Sequence, residues 1–367
     1  MNDQSVLRAP AEEQYSTELE RLAGEDNGPS PPGWRLSPRA VRKFLLGDDK
    51  LGVSRKFYGD DPLVDRAIVS LMGAQALLLV GEPGTAKSML SELLAAAISG
   101  QSGLVVQGSA GTTEDHIRYS WNYALLLAEG PSERALVPSP VLEAMRSGRI
   151  VRFEEITRCP PEVQDALIST LSEKTIAIPE LGDERTARAR PGFNIIGTAN
   201  LKDRGVHEMS SALKRRFNFE TVWPITDAGF ERTLIVKQLE ERLGGVDGLP
   251  QMAKIEDEVL DVLVQTFMDL RTGRTREGTS LSRPEAVMST AEAVNVAHAA
   301  ALEAGYLDGS AATGAHLARQ LQGIVLKDNP EDGKKLKAYV DHVAKDRAAR
   351  NRQWKSFYDA ARKLKLV

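Results

Sequence analysis

The sequence is poor in the features that mark secreted, metal-binding and membrane proteins. It contains one cysteine, Cys159, in 367 residues, which excludes an internal disulfide and a cysteine-based zinc site. The five histidines are scattered without the spacing of metal ligands. No basic-then-apolar signal peptide opens the chain, and no apolar run approaches the roughly 18 residues that span a membrane. We therefore expect a cytoplasmic protein without membrane insertion.

Positive charge is not in excess either. Lysine and arginine number 47 against 51 aspartates and glutamates, which gives a formal net charge of −4. The composition as a whole therefore does not favour a nucleic-acid binder. The charge is uneven along the chain, however. Residues 1–33 are acidic and end in a Gly/Pro-rich stretch, which predicts a flexible segment, whereas residues 334–367 carry eleven basic residues and three aspartates.

The most informative stretch is residues 76–90. A continuous apolar run predicts a strand buried on both faces, and a turn and an apolar-spaced helix follow it. The turn matches the phosphate-binding pattern Gly-x4-Gly-Lys-Ser/Thr, except that Ala86 replaces the second glycine. Lys87 can reach the β- and γ-phosphates of a nucleotide, and the Ser88 hydroxyl can ligate magnesium. The predicted nucleotide-binding residues are Gly81, Glu82, Pro83, Gly84, Thr85, Ala86, Lys87, Ser88 and Met89.

Polar side chains end two further predicted strands. Glu154 and Glu155 follow the apolar segment that begins at Ile150, and Asn200 follows the one that begins at Phe193. In open α/β sheets, ligands bind at the carboxyl ends of the strands, so we expect these side chains near the phosphates. Glu154 is the candidate magnesium ligand and Glu155 the residue that activates water. The alternatives are an acidic helix start for the glutamates and an ordinary turn for Asn200.

Three arginines are candidates for contact with phosphate. Arg215 and Arg216 precede an alternating segment, Phe217 and Phe219, which predicts a strand that would hold the arginines in place. Arg283 stands at a predicted helix start, from which an arginine could reach a phosphate. The alternative for Arg215 and Arg216 is a basic run exposed to solvent. The alternative for Arg283 is a helix cap at the surface.

The order of the predicted elements indicates two folded parts. Strand and helix signals alternate up to Trp223-Pro224, and only helical periodicity follows. Residues 112–140 are predicted as an insertion and residues 174–192 as a hairpin with a charged turn through Asp183. The basic C-terminal residues show helical spacing, which is more typical of a docked amphipathic helix than of a nucleic-acid arm.

Taken together, these motifs resemble the AAA+ ATPases, and among them the MoxR family of the helix-2-insert branch. Residues 81–88 are similar to the Walker A motif and residues 150–155 to Walker B, with Glu155 as the catalytic glutamate. Asn200 matches sensor 1, and Arg283 resembles the sensor 2 arginine. Arg216, with Phe217 after it, matches the arginine-finger segment, and the double arginine leaves Arg215 open as the finger. Glu154 departs from the family, which usually has aspartate there.

The resemblance implies an α/β fold, in which a P-loop AAA+ core with a parallel sheet is followed by a smaller all-helical lid. It divides the chain into a flexible acidic segment, an AAA+ α/β nucleotide-binding domain, a helical lid domain and a basic C-terminal helical segment; these are residues 1–33, 34–225, 226–329 and 330–367. The insertion in helix 2 is placed at about 112–140 and the hairpin before sensor 1 at about 174–192. The implied ligands are ATP and Mg²⁺.

The implied function is that of an ATP-hydrolysing ring, hexameric in the family, that remodels or assembles other proteins with a von Willebrand factor A-type partner. The alternative is a nucleic-acid motor related to helicases, which the acidic predicted insertion disfavours. A nucleotide-dependent scaffold with little hydrolysis is a third reading. Tyr119, Trp121 and Tyr123 in the insertion either pack it onto its domain or face the client protein.

Overall fold

The computed structural model describes residues 8–182, 185–201, 205–244, 254–286, 288–327 and 329–366. Residues 1–7 of the predicted N-terminal segment and Asp183 of the predicted hairpin turn therefore lie outside the described residues. The chain forms two compact units. The first contains the residues up to Glu82 and Ala86–Trp223, and the second contains Pro83–Thr85 and the residues from Pro224 onward.

The first unit is built on a five-stranded parallel sheet with the strand order β2-β5-β8-β1-β9. The three central strands are buried along their whole length, as their continuous apolar runs require. Two antiparallel hairpins, β3–β4 and β6–β7, stand apart from this sheet. The strands are β1 Ala76–Val80, β2 Val105–Gln107, β3 Tyr119–Trp121, β4 Leu136–Pro138, β5 Ile150–Glu154, β6 Thr175–Ala177, β7 Thr186–Arg188, β8 Asn194–Ala199 and β9 Phe217–Thr221.

Helices cover this sheet, and two of them begin at a serine followed by proline. The Ser37 hydroxyl accepts a hydrogen bond from the Ala40 N–H, and Pro38 fixes the first turn. The helices of the first unit are α1 Ala11–Gln14, α2 Ser16–Glu25, α3 Pro38–Leu46, α4 Asp61–Met72, α5 Lys87–Ser99, α6 Tyr123–Glu129, α7 Pro140–Ser147, α8 Pro161–Asp165, α9 Leu167–Glu173 and α10 Ser211–Lys214.

The described residues of the second unit form helices and no strand, so the predicted α/β class with a helical C-terminal region is confirmed. In the described residues, no helix is long and apolar enough to cross a membrane. The helices are α11 Ala228–Gly244, α12 Asp257–Thr272, α13 Thr290–Leu302, α14 Gly314–Val325, α15 Pro330–Tyr339, α16 Lys345–Ala348 and α17 Arg352–Ala361, with π-helical turns at Glu303–Leu307 and Val340–Ala344.

Residues 8–33 of the predicted flexible segment include two helices, α1 and α2, in the structure. Helix α2 buries Leu19 and Leu22 in the core of the first unit. The Lys56 ammonium, which is almost fully buried, lies 2.5 Å from a Glu18 carboxylate oxygen. It also stands 4.3 Å from the centre of the Phe44 ring, in a cation–π arrangement. The acidic composition concealed this docking, because a few apolar residues at helical spacing make the contact and the Glu18 carboxylate adds an ion pair with a buried lysine.

The division at residues 329/330 stays a prediction; in the structure, the C-terminal helices share one core with the preceding helices of the second unit. Tyr339 and Trp354 are buried in that core. The Arg347 guanidinium donates to the buried Asp269 carboxylate at 2.6 Å and lies 4.8 Å from the Trp354 ring centre. The basic residues of this segment thus belong to docked helices, in agreement with their amphipathic spacing.

Candidate functional site

The candidate site lies at the carboxyl ends of three neighbouring strands, β5, β8 and β1. β5 and β8 pair in parallel with Phe153 opposite Gly197, and β8 pairs with β1 with Ala199 opposite Val80. The residues that follow these strands therefore emerge at one edge of the sheet. They are the phosphate loop after β1, Glu155 after β5 and the buried Asn200 after β8.

The phosphate loop ends at Ala86, whose backbone has φ 68° and ψ 22°. This left-handed conformation explains why the usual pattern has glycine at this position. Alanine adopts it at a modest energetic cost because its side chain is the smallest after glycine's. Helix α5 begins at the next residue, so the unpaired N–H groups of its first turn are available to an anion.

Lys87 extends back along this loop. Its side chain is buried, and its ammonium donates to the carbonyl oxygens of Gly81 at 3.0 Å and Glu82 at 2.8 Å. Burial lowers the pKa of Lys87, although the carboxylates of Glu155 and Glu154 act in the opposite direction. Two carbonyl oxygens therefore hold the Lys87 ammonium in place, and the negative charges of both glutamates favour its protonated form.

The Glu154 carboxylate is buried and accepts hydrogen bonds from two hydroxyls on α5 and one on β8. The donors are Ser88 at 2.6 Å, Ser91 at 2.7 Å and Thr198 at 2.7 Å. Burial raises the pKa of Glu154, but these hydroxyls and the Arg152 guanidinium outweigh it and leave the pKa below its ordinary value. The Ser88 hydroxyl and an ionised carboxylate are thus adjacent, and both are oxygen ligands of the kind that Mg²⁺ prefers.

Arg152 is a site residue that our sequence analysis missed. It lies on β5, two residues before Glu154, and is buried. Its guanidinium donates to Glu154 at 2.8 Å, to the Ser91 hydroxyl at 2.9 Å and to the Ser88 carbonyl at 3.1 Å. Side chains two apart on a strand share a face, so an arginine in a buried strand two residues before a glutamate could have signalled this pair.

Glu155 has a left-handed backbone, with φ 54°, and its N–H donates to the Thr198 hydroxyl at 2.9 Å. Within the described residues, its buried Oε2 atom has no hydrogen-bond partner. This side chain lines a cleft of about 400 Å³ together with Ser109 and Arg158. Gly108 borders it, and a Cβ there would lie 2.3 Å from the Glu155 carbonyl oxygen, so only glycine fits.

The two finger candidates differ in their surroundings. Arg216 donates to the Ala212 carbonyl at 2.5 Å and to the Ser172 hydroxyl, so it is held on its own unit. The Arg215 side chain is exposed and has no partner among the described residues; its backbone N–H donates to the Ser211 carbonyl, and its carbonyl accepts from Gln75 at 3.0 Å.

Arg283 lies in the second unit, in the segment between α12 and α13. Its side chain is exposed, and its Nε atom donates to the Thr272 carbonyl at 2.9 Å. The structure thus gathers Lys87, Ser88 and the two glutamates at one sheet edge of the first unit, whereas Arg283 belongs to the other unit.

Two families match the chain over most of its length. The family described as AAA domain (dynein-related subfamily) matches residues 76–217, and the family described as YehL-like AAA+ ATPase C-terminal domain matches residues 231–365. The uncharacterized protein YehL of Escherichia coli (strain K12) is 50% identical over 361 residues, which cover 98% of each chain. The chain belongs to the YehL-like AAA+ ATPase family.

The other relatives are more distant. An uncharacterized protein of Staphylococcus haemolyticus (strain JCSC1435) is 26% identical over 200 residues, or 53% of this chain and 68% of that protein. The crystal structure of NtrX from Brucella abortus gives a TM-score of 0.49 at 12% identity and covers 83% of this chain. The similarity spans 64% of the NtrX chain, less than two thirds of its length.

The two family matches confirm the predicted AAA+ resemblance. The first contains all the candidate site residues of the phosphate loop, the Walker B strand, sensor 1 and the arginine finger, and the second contains Arg283. Neither family carries the name MoxR, so that branch stays a prediction.

The pairing of Arg152 with Glu154 predicts a large stability effect. Arg152→Met leaves a buried carboxylate without its cation, which should lower the free energy of unfolding by about 3–5 kcal/mol. Urea denaturation without nucleotide, followed by circular dichroism, measures this. Arg149→Met, on an exposed residue just before β5, is the matched control and should change little. Equal urea midpoints for Arg152→Met and Arg149→Met would contradict the pairing. The double variant Arg152→Met/Glu154→Leu also removes the buried charge, so the pairing would be contradicted if this variant were less stable than Arg152→Met.

Proposed function

We propose that this protein is a Mg²⁺-dependent ATPase of MoxR type that works as a homo-oligomeric ring, hexameric as in that family, and remodels or assembles other proteins. The observation that supports hydrolysis is the geometry at the sheet edge. Lys87 and Ser88 open α5, and the Ser88 hydroxyl is bonded to Glu154. The next residue, Glu155, has a buried carboxylate oxygen with no hydrogen-bond partner among the described residues.

Each residue has a distinct part in this proposal. The N–H groups of the phosphate loop and Lys87 bind the phosphates, and Lys87 balances the charge of the β- and γ-phosphates. Ser88 and Glu154 would hold Mg²⁺, which supplies charge neutralisation at the transferred phosphoryl group. Glu155 orients and polarises the attacking water, and Asn200 fixes that water or the γ-phosphate. Arg283 binds phosphate as the sensor 2 residue.

Substitution of Lys87 and Glu155 should separate nucleotide binding from hydrolysis. Lys87→Ala removes the cation and should abolish binding of ADP and ATP in calorimetry. Glu155→Gln should bind ATP with Mg²⁺ normally and lose about 10²–10⁴-fold in phosphate release, because only water activation is lost. Glu143→Gln, on an exposed residue of α7, is the control and should behave as the wild type. Wild-type turnover in Glu155→Gln would refute the role of Glu155.

The ring proposal requires an arginine that reaches the nucleotide of a neighbouring subunit. Arg215 suits this role better than Arg216, because its guanidinium is exposed and unengaged within the described residues. Arg216 instead bonds to Ala212 and Ser172 of its own unit. We therefore place the finger at Arg215.

A mixing experiment tests the finger. Arg215→Ala should retain nucleotide affinity and lose about 10³–10⁵-fold in hydrolysis, the range seen for fingers in other NTPases. Arg216→Ala is the matched comparison and should lose less activity while it lowers the melting temperature. Mixing Arg215→Ala with Glu155→Gln subunits should restore partial turnover, because mixed interfaces combine an intact finger with an intact glutamate. The absence of rescue despite confirmed subunit exchange would argue against hydrolysis in trans.

The insertion in helix 2 is the proposed contact with a von Willebrand factor A-type partner. Two of its three aromatic residues pack: the Tyr119 hydroxyl donates to Glu180 at 2.7 Å, and its ring meets the Trp121 ring edge-on with centres 6.0 Å apart. Tyr123 is 73% exposed, and Leu127 on the same helix is 89% exposed. Helix α6 has no buried residue although six of its seven residues are apolar. Such a surface is typical of a protein-binding site.

Two sets of variants test this contact. Tyr123→Ser/Leu127→Ser should keep basal turnover and ring assembly and lose binding to the von Willebrand-type product of a neighbouring gene in a pull-down. Tyr119→Phe/Trp121→Phe, which keeps the packed rings, should retain that binding. Unchanged binding by Tyr123→Ser/Leu127→Ser would place the contact elsewhere, and loss of folding would show that α6 is structural.

No observation favours the alternative of a nucleic-acid motor. Carboxylates of the insertion are paired internally, Glu114 with Arg118 at 2.9 Å and Glu129 with Arg134 at 2.8 Å. The basic C-terminal helices are docked in the core of the second unit. Neither feature provides a continuous positive track for a phosphate backbone.

A further inference from the structure

The segment that carries Arg283 is fixed at its start by the end of α12. Gly273 directly follows the helix and has a left-handed backbone, with φ 69°. A Cβ at this position would lie 2.8 Å from the Arg283 side chain, so the arginine packs directly on the glycine. The Arg283 Nε atom also donates to the Thr272 carbonyl at 2.9 Å. One side of the guanidinium is thus held while the rest of the side chain is exposed.

Beyond Arg283, the same segment is fixed by the C-terminal part of the chain. The fully buried Asp332 of α15 accepts hydrogen bonds from the backbone N–H groups of Glu285 at 2.9 Å and Ala286 at 2.7 Å. Pro284, between these residues and Arg283, has a restricted φ and no N–H group. The backbone on the C-terminal side of Arg283 is therefore held by one carboxylate.

Helix α15 provides a rigid support for this carboxylate. Lys335, one turn further along, donates to Asp332 at 2.9 Å and compensates its buried charge. Tyr339 is buried in the core of the second unit. Gly333 is so close to the end of the chain that a Cβ would lie 1.8 Å from the Leu366 carbonyl oxygen. Asp332 thus stands on the buried face of a helix that packs closely against the rest of the second unit.

We propose that Asp332 is a positioning residue for Arg283, through which the C-terminal helices set the affinity of the protein for nucleotide. The carboxylate holds the backbone at residues 285 and 286, and this fixes the direction in which Arg283 is presented. The inference rests on the proposed role of Arg283 as a phosphate-binding residue. It assigns a function to α15 beyond the packing of the second unit.

A double-mutant cycle tests this coupling with fluorescent methylanthraniloyl-ADP as the probe. Arg283→Ala should weaken binding about tenfold, the loss expected for one charge-assisted hydrogen bond. Asp332→Asn keeps the shape of the side chain but places an amide against one backbone N–H, so it should weaken binding by a similar factor. The double variant should bind no more weakly than Arg283→Ala, because both changes remove the same contact.

Three further variants separate positioning from stability. Asp332→Glu shifts the acceptor atoms by one methylene and should also weaken binding in a way that depends on Arg283. Lys335→Gln leaves both backbone hydrogen bonds in place and should lower the melting temperature without changing nucleotide affinity. Asp341→Asn, on an exposed residue of the same C-terminal segment, should change neither quantity.

The possible failures are distinguishable. Unchanged affinity in Arg283→Ala would overturn the role of Arg283 and this inference with it. Weakened binding in Arg283→Ala, combined with unchanged or additive effects of Asp332→Asn and Asp332→Glu, would overturn the positioning role alone. An affinity loss in Lys335→Gln as large as that in Asp332→Asn would show that general loosening of α15 is the cause.

Discussion

The candidate site depends on one buried carboxylate that must keep all its donors. Glu154 is bonded to Ser88 and Ser91 on α5, to Thr198 on β8 and to Arg152 on its own strand. Withdrawal of a donor would leave buried charge uncompensated, which is among the most costly changes in a protein interior. The bonds therefore fix the first turns of α5 against the carboxyl ends of two strands. The phosphate loop takes its position from this arrangement because it joins α5 to β1.

Much of this arrangement could be predicted from the sequence, because the strands that carry it are buried on both faces. A continuous apolar run identified β1 and mainly apolar segments identified β5 and β8, and the polar residues after them mark the edge where the site is assembled. The pair of Arg152 and Glu154 was not predicted, because a single arginine within a mainly apolar strand does not by itself show which group it contacts. The longer side chain of Glu154, which looked like a departure from the family, reaches the hydroxyls of α5 and the arginine together.

The ends of the chain show where composition misleads. Residues 1–33 are acidic, yet Leu19 and Leu22 dock α2 on the core, because burial is decided by a few apolar residues at helical spacing. The C-terminal residues are basic, and their amphipathic spacing predicted that they dock as helices. The spacing did not predict which residues they contact. Arg347 bonds to Asp269, 78 residues earlier in the sequence, and such a long-range pair cannot be inferred from local pattern.

The feature of the site that is hardest to predict from the sequence is the backbone conformation of Glu155. Successive side chains of a strand point to opposite faces, so a continued β5 would send Glu154 and Glu155 to different sides of the sheet. Yet the charges of both carboxylates act on Lys87, where they oppose the lowering of its pKa that burial causes. The left-handed conformation at Glu155 reconciles these facts, because it ends the strand directly after Glu154 and redirects the next side chain. A non-glycine residue in this conformation costs on the order of 1–3 kcal/mol and persists only where surrounding contacts enforce it. Here the Glu155 N–H donates to the Thr198 hydroxyl, which itself donates to Glu154, so one hydroxyl secures both the first carboxylate and the backbone turn at the second.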